Sequence, residues 1–240
     1  GPGAAARMNL ELTDEQVALR DTVRRYLAEK ASVRTHVRPM LDDPAGTTPE
    51  VWAGLAAMGA TGVLVPQECG GSGLTMVEAG VVAEELGAAL HPGPWLSSAV
   101  AATFTALLVP YVRQHRLGTV GAPDAGYILP NGDVRAPDVS FVSYERLRFL
   151  PHRYAKAMPE FAVEVRSSRD RPREVLEKLK AFLDLGTLVG VYVDPQTHEV
   201  RVLRKERQDE VLGDGDVLVV PELFPGWAVA ISDLWPLDAP

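Results

Sequence analysis

The chain has 240 residues, of which 46% are hydrophobic and 23% are charged, and it carries a formal net charge of −8. This length allows one large domain or two small ones, and the acidic balance argues against a generally basic nucleic-acid-binding protein. The composition shows no run of about 18 purely apolar residues, so we expect no membrane-spanning segment. The single cysteine, Cys69, excludes an internal disulfide and favours a reducing compartment, so we expect a cytoplasmic protein.

Apolar residues recur at helical spacing from about residue 10 to residue 116. Thr13 with Gln16, and Thr75 with Glu78, each form the capping-box pattern that begins a helix. These signals, together with the Pro and Gly positions, predict four helices, over about 14–30, 49–59, 75–90 and 97–116.

The apolar period changes to two after Gly118, which indicates strands. The sequence Asn131-Gly132-Asp133 is typical of a hairpin turn, and one further helix is predicted over 172–184. Seven strands are predicted, over 119–129, 138–142, 161–166, 188–193, 200–204, 217–220 and 227–231. We therefore predict an α+β protein, in which an all-α N-terminal domain is followed by a domain with one curved mixed sheet.

The segments LTDEQ, WAGLAAMG, VPQECGGSG and VAEELG, at residues 12–16, 52–59, 65–73 and 82–87, resemble the N-terminal helical domain of acyl-CoA dehydrogenases in order and spacing. In that family the flavin lies mainly on a middle β-domain and a C-terminal helical domain, neither of which we recognise here. The resemblance therefore implies a fold over residues 10–96, after a flexible leader at 1–9, and FAD is not expected as a cofactor. The glycine-rich run at 70–73 could cradle a phosphate, but a tight turn into the Thr75 cap is favoured.

In the dehydrogenase family this helical domain packs against the two other domains. The resemblance consequently implies an apolar face on residues 10–96 that lacks its usual cover. We expect this face either to pack on the C-terminal half or to form a homodimer.

Two apolar strand segments each contain one carboxylate, Asp138 in APDVSFV at 136–142 and Glu164 in FAVEV at 161–165. A carboxylate in a core strand is unfavourable unless something pairs with it. Because hard divalent cations prefer carboxylate oxygens, two such acids on neighbouring strands predict a site for Mg²⁺ or Mn²⁺. Strand alternation places Glu164 on the face that is opposite Val163.

Basic residues crowd the segment that follows Glu164. Its four arginines could hold phosphate without reading bases, or they could form a solvated loop and helix face: Arg166, Arg169, Arg171 and Arg173. Lys178 and Lys180 flank the buried face of the 172–184 helix almost equally, and either stem could reach inward. A surface pair between Glu174 and Lys178 is the structural alternative.

The segments HRLG, APDV, VEV, EKL, VDP and LFPGW, at residues 115–118, 136–139, 163–165, 177–179, 193–195 and 223–227, resemble the Uma-type family of restriction endonucleases. That family belongs to the restriction-endonuclease-like class with the PD-(D/E)xK motif. The resemblance implies a nuclease-like domain over 97–240, with Asp138 and Glu164 as the metal ligands. Arg166 stands where the motif has its lysine, and in this family the lysine lies in the following helix, which points to Lys178.

A further departure is that family members usually begin with a segment carrying a glutamate and a small hairpin. Here the dehydrogenase-like helices occupy that place, and the fourth predicted helix could belong to both resemblances.

The leading hypothesis is a metal-dependent endonuclease that binds DNA and hydrolyses its phosphodiester bonds, with Asp138, Glu164 and Lys178 as catalytic residues. One alternative is an acyl-CoA dehydrogenase-derived fragment that binds acyl-CoA or FAD, and another is a non-catalytic interaction protein. Other polar positions are predicted to be ordinary: Asp124 as a turn former, Glu160 as an exposed strand start, and Gln208, Asp209 and Glu210 as a solvated turn.

Overall fold

The computed structural model describes residues 11–43, 45–65, 67, 71–121, 125–130, 132–148 and 154–235. The predicted leader at 1–9, together with Cys69, Gly70, Asp124 and Asn131, lies outside these residues. Within them, N-terminal helices are followed by a six-stranded mixed sheet with helices. The predicted α+β fold class is therefore confirmed.

The N-terminal half consists of short to medium helices: α1 (Asp14–Lys30), a π-helical turn (Val33–Val37) that continues into α2 (Arg38–Met40), α3 (Pro49–Ala57), α4 (Met76–Ala88) and α5 (Trp95–Gln114). Both predicted capping boxes, Thr13 with Gln16 and Thr75 with Glu78, are confirmed. Gln16 Nε2 also donates to Glu78 Oε1 at 2.7 Å, which ties the start of α1 to the start of α4. Hydrogen bonds, the largest from the Thr75 hydroxyl, lower the pKa of Glu78 to about 2.

The helices bury one apolar cluster, which includes Val23, Leu27, Val51, Leu55, Val82 and Leu86. The beginning of α5 closes this cluster, because Trp95 packs into it and its Nε1 donates to the Ala60 carbonyl at 2.8 Å.

The C-terminal half contains ten described strands: β1 (Gly118–Gly121), β2 (Tyr127–Ile128), β3 (Val134–Arg135), β4 (Val139–Ser143), β5 (Phe161–Val165), β6 (Val189–Asp194), β7 (Glu199–Arg204), β8 (Glu210–Leu212), β9 (Val217–Val219) and β10 (Ala228–Ala230). The main sheet has the order β1-β4-β5-β6-β7-β8. In it, β5 and β6 pair in parallel and the other neighbours pair antiparallel. Helix α6 (Pro172–Asp184) makes the crossover between the two parallel strands.

Three strand predictions were wrong. The predicted strand over 119–129 is two strands, β1 and β2, which lie in different sheets, and the two-residue strand β3 was not predicted. Glu210, which was assigned to a solvated turn, begins β8 and pairs with Val202 at the sheet edge. Strands of two or three residues are too short to show alternation, so their sequences carry no period-two signal.

The two faces of the main sheet pack on different helices. Phe161, Val163 and Val165 of β5 join the cluster that contains Phe104 and other residues of α5. The alternate residues of the sheet, Ala162, Tyr192 and Leu203, pack with Leu179 and Leu183 of α6. The face that carries Glu164 is therefore the α6 face, as strand alternation predicts.

Helix α5 belongs to both halves of the molecule. Trp95 and Ala99 pack in the N-terminal cluster, whereas Val100, Phe104 and Leu108 pack against the sheet. The predicted boundary between 96 and 97 falls inside this helix. By length and composition α5 could also cross a membrane, and half of its most apolar window is buried within the protein.

Candidate active site

The two predicted metal ligands lie side by side on neighbouring strands. Val139 of β4 is paired with Val163 of β5, and continuing this antiparallel register by one residue places Asp138 opposite Glu164. The carboxylate of Asp138 is fixed because its Oδ2 accepts a hydrogen bond from the Val165 amide at 2.7 Å. Glu164 is only 5% exposed. The structure therefore brings together the two acids that the sequence singled out.

Lys178 reaches these acids from helix α6. Its Nζ lies 2.7 Å from Glu164 Oε1 and 2.8 Å from Oε2, and it also donates to the Ala136 carbonyl at 3.3 Å. Lys180 is exposed on the same helix and faces a separate cavity. Helical periodicity did not decide which of Lys178 and Lys180 reaches inward, and the structure places Lys178 at the acids. The alternative surface pair between Glu174 and Lys178 is not formed, because Glu174 pairs with Arg171.

The burial of the acids changes their protonation. The pKa of Glu164 is raised to about 7, chiefly because burial penalises its charged form; the Lys178 ammonium acts against this rise, and the nearby Asp138 carboxylate adds to it. Desolvation also raises the pKa of Asp138, although the Val165 amide and Lys178 act in the opposite direction. A pair of acids with raised pKa values, close together in one cavity, is typical of functional sites.

The acids line a cavity of about 450 Å³ that lies between the sheet, α6 and the beginning of α5. Its polar lining consists of Ser97, Ser98, Arg135, Asp138, Glu164, Ser167, Asp170, Glu174 and Lys178. The hydroxyls of Ser97 and Ser98 both donate to the Pro94 carbonyl. The beginning of α5, which is the helix shared by the two halves, therefore forms one wall of the cavity.

The donor set suits a hard divalent cation. Glu164 Oε1 is buried and accepts no hydrogen bond of acceptable geometry, although Lys178 Nζ lies 2.7 Å away. A short ion pair of this kind can leave a carboxylate lone pair pointing elsewhere. Asp138 and Glu164 are thus the residues that would hold Mg²⁺ or Mn²⁺. No group of three acidic, histidine or cysteine ligands occurs among the described residues, so such an ion would keep several waters.

The four arginines that were predicted to hold phosphate are engaged elsewhere. The Arg166 guanidinium lies 3.0 Å from Asp194 Oδ2 and also donates to Gln196. Arg169 donates to the backbone carbonyls of Met40, at 2.8 Å, and Asp43, and so joins the C-terminal half to the N-terminal helices.

Arg171 and Arg173 form surface pairs on helix α6 with Glu174 and Glu177, and their side chains are 82% and 88% exposed. None of the four arginines is among the described residues that line the cavity of the acids.

Two residues with polar roles were missed or misassigned from the sequence. Arg135 of β3 lines the cavity, and no signal in the sequence marked it. Glu160 was predicted to be exposed, but it is 6% exposed and accepts hydrogen bonds from both the amide and the hydroxyl of Ser143. An ion pair with Arg146 at 3.2 Å further compensates its burial.

The fold is that of an α+β domain built on a six-stranded mixed sheet. A solved structure described as a "putative nuclease belonging to DUF820", from Anabaena variabilis, matches with a TM-score of 0.54 and 20% sequence identity. The match covers 59% of this chain and 82% of that one, and at this identity it shows the fold alone. The Uma2 family model, described as "Putative restriction endonuclease", matches residues 80–232. This is more than half of the chain, which therefore belongs to the Uma2 family.

The N-terminal half matches a second family model, the acyl-CoA dehydrogenase N-terminal domain, over residues 13–111. Acyl-CoA dehydrogenase IpdE2 of Mycolicibacterium smegmatis is 37% identical over 91 residues, which are 38% of this chain and 29% of that protein. Acyl-CoA dehydrogenase FadE34 of Mycobacterium tuberculosis is 39% identical over 97 residues, which are 38% of this chain and 14% of that protein. The chain thus spans less than a third of the length of these curated relatives. The two family matches overlap over 80–111, which includes most of the shared helix α5.

Proposed function

We propose that the protein is a metal-dependent endonuclease that hydrolyses phosphodiester bonds in DNA. The observation that carries this proposal is the convergence of Asp138, Glu164 and Lys178 on one cavity. Membership in the Uma2 family supports the same reaction class.

Each of these residues has a distinct task in this proposal. Asp138 and Glu164 bind Mg²⁺ or Mn²⁺, and the ion, when bound, supplies an activated water and positive charge at the phosphate. The Val165 amide holds Asp138 in the orientation that binding requires. The ammonium of Lys178 lies close enough to Glu164 to orient the attacking water and to stabilise negative charge that develops on the phosphate.

The raised pKa of Glu164, about 7, has a direct bearing on metal binding. Without the ion, part of the protein carries a protonated Glu164 at neutral pH. Because a ligand carboxylate must be ionised, Glu164 would have to release that proton to hold the ion, so the affinity for the ion would rise with pH through this range.

Plasmid cleavage with Mn²⁺ tests the proposal. We expect wild-type protein to nick the plasmid, and we expect Asp138→Asn, Glu164→Gln and Lys178→Met each to lower the rate by at least about 100-fold. Lys180→Met is a matched control on helix α6, since its side chain is exposed and lies away from the acids. Cleavage that is unchanged in Asp138→Asn would contradict the assignment.

A thermal-shift titration with Mg²⁺ separates metal binding from catalysis. An ion that binds only the native state raises the unfolding temperature, and Glu164→Gln is expected to remove this rise. The absence of any metal-dependent shift in the wild-type protein would favour the non-catalytic interaction protein.

A further inference from the structure

A second cavity adjoins the one that holds the acids. It has a volume of about 290 Å³, and it shares Arg135, Glu174 and Lys178 with the first cavity. Its remaining lining is mostly apolar and comes from β2–β3 and α6: Leu129, Glu177, Ala181, Phe182 and Leu185. A molecule whose reacting group lies at Asp138 and Glu164 could therefore extend into this second cavity without leaving the protein surface.

Arg135 stands at the border between the two cavities, since it lines both of them. Among the described residues its side chain forms no hydrogen bond or ion pair, in contrast to those of Arg166, Arg169, Arg171 and Arg173. A guanidinium offers planar, bidentate donation that matches phosphate oxygens. Arg135 is thus the arginine at this site that is available to an anionic ligand, and it lies only three residues before Asp138.

The second cavity has the chemistry of a nucleobase site. Leu129, Ala181 and Leu185 provide aliphatic walls, while the carboxylates of Glu174 and Glu177 lie at the same cavity and can accept hydrogen bonds from exocyclic amino groups. Its volume is close to the lower limit for small-molecule sites, so it suits one base and not a longer segment. A base that is stacked in a duplex cannot enter it, whereas an unpaired base can.

We infer that the two cavities together form a subsite for one unpaired nucleotide, in which Arg135 binds the phosphate next to the scissile one and the apolar cavity takes the base. The inference rests on the proposed nuclease function, and it adds a substrate class, namely DNA that is single-stranded or contains an unpaired nucleotide near the cleaved bond.

Cleavage of matched oligonucleotides with Mn²⁺ tests the inference. The substrates are a fully paired duplex, the same duplex with one unpaired nucleotide, and that second duplex with the unpaired nucleotide made abasic. We expect wild-type protein to cleave the duplex with the unpaired base about tenfold faster than the other two, because only this substrate fills the apolar cavity.

Two variants separate the parts of the subsite. Ala181→Phe fills the cavity from an exposed helical position, so it should abolish the tenfold preference while leaving the abasic substrate cleaved at the wild-type rate. Arg135→Ala should slow all three substrates by about tenfold, since it removes a phosphate contact. Ala57→Phe and Arg113→Ala introduce the same changes at exposed positions outside both cavities and should match the wild type. An unchanged unfolding temperature for each variant shows that folding is intact.

The outcomes distinguish this inference from the proposed function. If wild-type protein cleaves all three substrates equally, or if Ala181→Phe keeps the preference, the nucleotide subsite is wrong and the nuclease function stands. If wild-type protein shows no metal-dependent cleavage, both are wrong.

Discussion

The carboxyl group of Glu164 is held in an environment that favours its neutral form. It is 5% exposed, and burial raises its pKa to about 7 even though Lys178 lies beside it. The sequence predicted this residue as a ligand because a lone acid stands in an otherwise apolar strand. It could not predict the raised pKa, which depends on how completely α6 and the sheet exclude water.

This raised pKa predicts how stability depends on pH in the metal-free protein. The folded pKa is about 7 and the ordinary value is 4.5, so the stabilisation is full below about pH 4.5 and is lost as the pH rises through about 7. The difference corresponds to at most about 3 kcal/mol. Thermal unfolding in EDTA between pH 4.5 and pH 8 should therefore show a steeper loss of stability in the wild type than in Glu164→Gln. Parallel profiles for the two proteins would show that Glu164 is not the group responsible.

Arg166 is predicted to stabilise the folded protein by forming an ion pair with the buried Asp194. The side chain of Asp194 is 7% exposed, and Arg166 provides its ion pair at 3.0 Å. Arg166→Ala should lower the free energy of unfolding by about 2 kcal/mol, because a buried carboxylate loses a charged partner while it keeps its bonds to Tyr192 and Gln196. Urea unfolding measures this change. Arg173→Ala, which removes an exposed arginine, is the control and should leave the unfolding midpoint where it is; equal losses in both variants would contradict the prediction.

At the scale of elements, long periodic segments were predictable and short ones were not. Helix α6 has the predicted bounds, because its buried residues recur at helical spacing and proline and glycine mark its ends. A hairpin turn was predicted at 131–133, but the two-residue strands β2 and β3 on either side of it were not, because strands this short show no period. The site could be predicted in part for the same reason: Asp138 and Glu164 belong to predicted strands, whereas Arg135 lies on the short strand β3, which was not predicted.

The edge strand β1 depends on a glycine at its first position. A Cβ atom built on Gly118 would lie 2.1 Å from the Val142 carbonyl oxygen of the neighbouring strand β4, and backbone cannot move aside as a side-chain end can. Gly118→Ala should therefore lower the free energy of unfolding by about 1–3 kcal/mol. Gly213→Ala is the matched control, because no heavy atom lies within 4 Å of its Cβ position. Denaturant unfolding measures both, and equal stability of the two variants would contradict this account of β1.

At the scale of the whole molecule, helix α5 couples the two halves. Its residues pack in both clusters, so neither half can lose the helix without exposing apolar side chains. The boundary predicted between 96 and 97 falls inside this helix, which is apolar around most of its circumference and is claimed by both family resemblances.

This coupling predicts a single unfolding transition. Phe104 is 1% exposed and its ring lies 5.9 Å from that of Phe161 and 6.0 Å from that of Trp227. Phe104→Ala should cost about 3–5 kcal/mol and should shift circular dichroism and tryptophan fluorescence transitions together. A fluorescence transition that stays in place while the other moves would show that the halves unfold separately.

The homodimer expected from the uncovered helical face stays a prediction. Large apolar side chains are more than 40% exposed at the start of α4, namely Leu74, Met76 and Val77. If they form the dimer contact, light scattering should give twice the chain mass for the wild type and the monomer mass for Val77→Glu. A wild-type monomer at high concentration would contradict the prediction.

The link that Arg169 makes with the N-terminal helices uses only the backbone oxygens of residues 40 and 43 as acceptors. Such a link does not depend on the side chains at positions 40 and 43. The residue types at these two positions can therefore differ between related chains, provided that the backbone keeps the same path. In related chains that combine the same two halves, we expect an arginine at the position of Arg169. A relative that lacks this arginine should also lack the contact between the N-terminal helices and the C-terminal half.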